Sequence, residues 1–123
     1  MEISLDINDE LPMFIQLINQ VKNGVTNGQL TADFVMPSIR QLANDLNINQ
    51  NTVAKAYRLL ERDQVIVTKG YKGTFIHPDA VTNCQINLNE EATLILDKSV
   101  SKLRTLGLTD SEIRIAFSSV MKK

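Results

Sequence analysis

Three features of the 123-residue sequence predict a mainly α-helical fold that carries a small β-hairpin. Apolar residues recur at helical spacing as far as Gln64, alternate from Val65 to Ile76, and return to helical spacing in the last third. Clusters of Asn, Gly, Pro and Thr punctuate the chain between these stretches. The apolar fraction of 43% suffices for one core at this length.

The elements follow in order. Pro12 opens a helix in which Phe14, Leu17, Ile18, Val21 and Val25 make one inward stripe, and Thr26-Asn27-Gly28 stops it. Phe34-Val35-Met36, closed by Pro37, reads as a minimal strand. Ser38 with Gln41 fits a capping box, and Ile39, Leu42, Ala43 and Leu46 form a second, short helix. Asn47 suits a left-handed turn. Asn49 then caps a third helix with Val53, Ala56, Tyr57 and Leu60 inward. Val65–Thr68 and Thr74–Ile76 are strands joined across Lys69–Gly73. Helix, short strand, helix, turn, helix and hairpin, in that order, make a winged helix-turn-helix.

Pro78-Asp79 breaks the pattern, and residues 78–88 read as a connector with an extended piece at Gln85-Ile86. Asn89 is the expected cap of a helix striped by Leu96, Val100 and Leu103 and ended by Gly107. Thr109 with Glu112 forms another capping box before a last helix striped by Ile113, Ala116, Phe117 and Val120. The expected division is a winged helix-turn-helix domain at 1–77 and a connector with a two-helix tail at 78–123. Two short amphipathic helices bury little by themselves, so Leu96, Val100, Leu103, Ile113, Phe117 and Val120 are expected to dimerise with a second copy.

The net charge is -1, which gives no global basic field. The distribution is uneven: residues 1–35 hold one base and five acids, whereas residues 36–76 hold six bases and three acids. A local +3 thus coincides with the helix-turn-helix and wing. A single cysteine, Cys84, suits a reducing cytoplasm. MEISLDIND has neither the basic start nor the apolar stretch of a signal peptide, and no apolar run reaches the roughly 18 residues of a membrane span. A cytoplasmic, non-membrane protein is expected.

A recognition helix enters the major groove with its N-terminal residues nearest the base edges. Here that turn is Asn49, Gln50, Asn51 and Thr52, short polar groups that donate and accept, and Asn or Gln can bond adenine through two contacts. Lys55 lies one turn further, placed for a phosphate or a guanine edge. Arg40, early in the preceding helix, falls near the DNA backbone. Lys69, Gly70 and Lys72 at the hairpin tip combine cations with a backbone that can approach closely. Each residue also has a plainer reading: Asn49 as a cap, Gln50 and Asn51 as solvated residues, and Lys55, Arg58 and Arg62 as a hydrated helix face.

The run from Met36 to Ile76, MPSIRQLANDLNINQNTVAKAYRLLERDQVIVTKGYKGTFI, resembles the DNA-binding domain of the GntR family of bacterial transcription regulators. Pro37–Ala43, Asn51-Thr52-Val53, Ala56-Tyr57, Leu60-Glu61 and Gly73–Ile76 carry the likeness, and Gln16, Ile18 and Gly28 extend it to about residues 10–77. The resemblance implies a winged-helix dimer on a two-fold operator, with Arg40, Asn49, Gln50, Asn51, Thr52, Lys55, Lys69 and Gly70 at the DNA. Three positions depart from the pattern. Asp33, Asn47 and Gln64 stand where the family usually has Gly, at left-handed turns that Gln accepts less readily. The wing also reads Gly70-Tyr71-Lys72-Gly73 in place of a closely spaced Gly-x-Gly. With 46 residues after His77, the tail resembles the YtrA-like branch, in which two helices replace a ligand domain and build the dimer.

No catalytic constellation is visible, since His77 is the only histidine and no His/Asp pair activates a serine. His77, Asp79 and Cys84 are fewer donors than zinc sites usually gather, so no metal or other cofactor is expected. The expected function is a sequence-specific DNA-binding repressor, a homodimer on double-stranded operator DNA. A small-molecule effector at the dimer interface is left open. The alternative is a winged-helix protein-interaction module that does not read DNA.

Overall fold

A computed structural model describes residues 1–123. It separates into two compact units, Met1–Ile86 and Asn87–Lys123.

The first unit contains α1 (Met13–Thr26), β1 (Val35–Met36), α2 (Ile39–Leu46), α3 (Gln50–Arg62), β2 (Ile66–Thr68), β3 (Thr74–Ile76) and α4 (Ala80–Asn83). The predicted inward stripes are buried: Leu17, Ile18, Val21 and Val25 from α1 meet Val53, Ala56, Tyr57 and Leu60 from α3. The sheet is antiparallel with order β1-β3-β2, and Met36 and Ile66 pair with Thr74 and Ile76 of the central strand. Ile66 and Ile76 close the core from the sheet side. Covering aliphatic side chains of this size contributes about 2 kcal/mol each, which is why the stripes fix the packing.

Local chemistry sets the ends. Ser38 Oγ accepts from Gln41 N at 3.1 Å, one half of the expected capping box. Asn49 Oδ1 accepts from Asn51 N at 2.7 Å and starts α3. The three departures from glycine all lie in the left-handed region: Asp33 at φ 68°, Asn47 at 55° and Gln64 at 57°.

Residues 1–11 form no helix or strand, yet they are held. Gln16 accepts from Asp6 N at 2.8 Å and donates to the carbonyls of Asp6 and Leu11. One turn on, Gln20 clasps Ser4 in the same two-way manner. The side-chain amides act as a substitute strand edge, and Ile3 and Leu5 pack against the core beneath them.

Two sequence expectations change. The expected connector with an extended piece at Gln85-Ile86 instead contains α4 followed by a turn. Ala80 is buried, and Asn83 Nδ2 donates to Gln64 O at 2.8 Å, so this segment packs with the first unit. Its helix is too short to show a period. In the second unit, α5 (Leu88–Thr105) is capped by Asn87, whose side chain accepts from Glu90 N at 3.1 Å, and not by Asn89. Both asparagines are chemically fit to cap; the one three residues before a first-turn acid forms the bond. Gly107, at φ 100°, then turns the chain into α6 (Asp110–Met121). The Thr109–Glu112 capping box is complete, and its hydrogen bonds hold the Glu112 carboxyl below its ordinary pKa.

Candidate nucleic-acid interface

The chain folds so that one face of α3 is left exposed. With Val53, Ala56, Tyr57 and Leu60 turned inward, residues seven apart such as Asn51 and Arg58 share the opposite side, with Lys55 between them and Arg62 one turn beyond. Gln50, Asn51, Lys55, Arg58 and Arg62 are exposed, and Thr52 is half-buried. Asn49 is exposed, but its carbonyl oxygen already serves as the helix cap, so the side chain cannot offer both of its ends to one base.

Lys55 Nζ stands 4.1 Å from the centre of the Phe14 ring, a cation–π contact from α3 to α1. Its stem is thereby directed toward α1, although the residue stays exposed. Arg62 Nε bonds Asp63 Oδ1 at 2.8 Å, and Lys22 Nζ reaches Asp63 Oδ2 at 2.9 Å. Burial opposes the Asp63 charge, but the Arg62 and Lys22 hydrogen bonds and charges outweigh it, so the carboxyl titrates below its ordinary value. Arg62 is committed to the fold. Arg58 has no such partner, and sequence reasoning passed over it as a hydrated helix position; its spacing from Asn51 was the available signal.

Arg40 is exposed on the first turn of α2. Tyr57 Oη donates to Pro37 O at 2.6 Å, which ties the start of α2 to the middle of α3. Burial raises the Tyr57 phenol above its ordinary pKa, so it stays a neutral donor. The base of the wing is tied to α3 as well, because Thr68 Oγ1 donates to a Glu61 carboxylate oxygen. Arg40 and the wing are therefore both anchored to the helix that displays Gln50 and Asn51.

Within the wing, Lys69 Nζ lies 3.3 Å from Asp33 Oδ1 and 4.9 Å from the centre of the Phe75 ring. Lys69 braces the hairpin against the turn before β1. Residues Gly70–Lys72 form a single 3-10 turn, closed by Lys69 N donating to Gly73 O at 2.8 Å. Gly70 (φ 58°) and Gly73 (φ 109°) take the left-handed conformations that this tip requires. Lys72 is exposed at the tip, and Tyr71, absent from the expected contacts, is 98% exposed.

No group of three or more His, Cys, Asp or Glu side chains is arranged to hold a metal ion. His77 Nδ1 accepts from Asp79 N at 2.9 Å, a turn-stabilising bond, and burial raises the half-buried Cys84 thiol above its ordinary pKa. No helix is long and apolar enough to cross a membrane.

In the second unit, α5 and α6 flank an apolar groove of about 690 Å³, along which Leu96, Val100, Leu103, Ile113, Phe117 and Val120 all lie. Ile113 is buried, Val100 and Leu103 are half-buried, and Leu96, Phe117 and Val120 are exposed. Leu88 and Ile95, with Leu106 at the C-cap, add a second exposed apolar line along α5.

Comparison with known proteins agrees with this fold. Residues 15–76 match the family described as "Bacterial regulatory proteins, gntR family", a span running from α1 through the wing. The chain is 36% identical to the HTH-type transcriptional regulator Rv1152 of Mycobacterium tuberculosis over 110 residues, 89% of this chain and 86% of that protein. It is 38% identical to the HTH-type transcriptional repressor YtrA of Bacillus subtilis over 80 residues, 65% of this chain and 62% of YtrA. A transcriptional regulator from Oenococcus oeni has a similar structure, with a TM-score of 0.60 and 32% identity, covering 96% of this chain and 98% of that one. These homologues are named as transcription regulators, not as enzymes. This chain belongs to the GntR family of bacterial transcription regulators, and its similarity to YtrA is consistent with the YtrA branch of that family.

Proposed function

We propose that this protein is a homodimeric repressor that reads an inverted-repeat operator, with Gln50 and Asn51 at base edges and Arg40, Lys55, Lys69, Gly70 and Lys72 along the DNA backbone. Thr52 supports the first turn of α3, and Asn49 positions that turn by capping it. The observation that carries the reading is the exposed polar start of α3, set on a helix whose other side is wholly buried. Arg58 joins the contacts as a further cation on the same face.

The dimer reading rests on the tail. A single copy leaves Leu96, Phe117 and Val120 in water, and a second tail packed across α5 and α6 removes that surface. Two copies related by a two-fold axis present two recognition helices, which matches a palindromic site. The similarity to a protein named a repressor supports the sign of regulation.

Selection of bound sequences from a random duplex pool tests the proposal. The expected result is an enriched palindrome whose affinity falls steeply with salt, because phosphate contacts release counterions. Gln50→Ala and Asn51→Ala relax base preference, whereas Lys72→Ala weakens all sequences alike. Equal affinity for the selected and scrambled duplexes overturns it.

A further inference from the structure

Tyr71 is the outlier among the aromatic residues of the first unit. Phe14 and Phe34 pack against the core, Phe75 is half-buried and Tyr57 is buried, yet Tyr71 is 98% exposed. Neither its ring nor its hydroxyl is engaged by the chain. It sits at the apex of the closed 3-10 turn, between two glycines and next to Lys72. A Cβ at Gly70 or Gly73 would meet nothing within 4 Å, so the tip stands clear of the body of the protein. The tip is nonetheless held: the Lys69–Gly73 hydrogen bond closes it and the Lys69–Asp33 pair braces it. A hydrogen-bonded, cationic tip presenting an uncovered phenol is suited to entering a narrow anionic cleft.

The minor groove of DNA is such a cleft, about 6 Å wide, and an aromatic ring is roughly 3.5 Å thick. A·T pairs line its floor with acceptors only, adenine N3 and thymine O2, whereas G·C adds the guanine 2-amino group. A phenol hydroxyl donates to those acceptors, and the 2-amino group obstructs the ring. We propose that Tyr71 is a specificity-determining residue that enters the minor groove at the operator's flanks and selects A·T pairs there. The inference rests on the operator-binding reading and adds a position of sequence preference outside the major-groove half-sites.

The test uses the full-length protein and the palindrome selected by the wild type, with flanking pairs set to A·T, G·C or inosine·C. Inosine lacks the 2-amino group, so it restores the minor-groove face of A·T without changing the cytosine partner. The wild type is expected to bind the A·T and inosine·C flanks alike and the G·C flank about tenfold more weakly. Tyr71→Ala binds the A·T flank about tenfold more weakly and no longer distinguishes the three; Tyr71→Phe retains most of the affinity and loses part of the discrimination.

A second readout needs no substituted DNA. The chain has no Trp and two Tyr, so its ultraviolet emission reports Tyr57 and Tyr71 alone. Operator DNA is expected to quench the wild-type emission, while Tyr71→Phe, which keeps only buried Tyr57, changes little. An unshifted melting temperature and dimer mass in both variants show that the fold is intact. Tyr71→Ala that binds within twofold of wild type with the same flank preference overturns the inference and leaves operator binding standing. So does a loss of affinity equal for all three flanks, or a change in dimer mass. Failure of the pool to enrich any palindrome overturns both.

Discussion

At the scale of single residues, the three left-handed positions without glycine are the sharpest local tension in the fold. Asn and Asp relieve such a backbone with a short polar side chain; Gln64 has one more methylene and gains less. Gln64→Gly is therefore expected to stabilise the protein by about 0.5 kcal/mol, after the added freedom of glycine in the unfolded chain is set against the relief. Asn47→Gly should give no gain, and thermal melts of the two variants check the ordering. Tyr57 shows the opposite case, a polar atom placed well inside. Its hydroxyl satisfies Pro37 O, so Tyr57→Phe leaves that carbonyl unpaired and costs about 1–2 kcal/mol by denaturant unfolding.

At the scale of elements, most of the fold was legible because periodicity and caps spoke together. The α1 and α3 stripes, the Ser38, Asn49 and Thr109 caps and the left-handed turn at Asn47 were all in the residue pattern. What escaped was short or degenerate. Helix α4 spans a single turn, and Asn87 and Asn89 offer the same capping chemistry two residues apart. The candidate site was legible as residue types but not as commitments. Nothing in the sequence says that Lys55 lies over Phe14, that Lys69 pairs with Asp33, or that Arg62 is spent on Asp63, because each partner is far off or ambiguous along the chain. Tyr71 was passed over for the same reason: exposure is a tertiary property.

The Lys22–Asp63–Arg62 node joins α1 to the end of α3 just before the wing. The folded Asp63 pKa lies below its ordinary value, so the pairing contributes stability above the unfolded carboxylate range, near pH 4. That contribution is lost as pH falls through the lower folded value. Asp63→Asn is expected to cost about 2 kcal/mol at neutral pH and to flatten the acid limb of the stability curve, as read by urea unfolding between pH 7 and pH 3.

For the whole molecule, the charge of -1 is less informative than where charge lies. Excess base is confined to residues 36–76, so the remainder of an acidic protein is repelled by DNA while one face is drawn to it. Assembly has its own test. Val100→Asp puts a carboxylate into the apolar groove of the tail and should convert dimer to monomer in sedimentation. Operator affinity then falls by at least tenfold, because two half-sites are no longer held together. Unchanged mass would remove the tail from the dimer reading.

The two glutamines that clasp the amino-terminal segment carry a consequence for hydrogen exchange. Chain ends outside helices and strands normally surrender their amide protons to solvent within moments. Here the amides of Ser4 and Asp6 are each bonded to a side chain of α1, in the rhythm of a strand pair. An exchange map should show these two amides protected while those of Ile3, Leu5 and Ile7, which flank them and have no acceptor, exchange freely. Gln16→Ala should release the Asp6 proton to rapid exchange without touching the slowest amides of α1 and α3, which marks this arm as a latch that opens ahead of global unfolding.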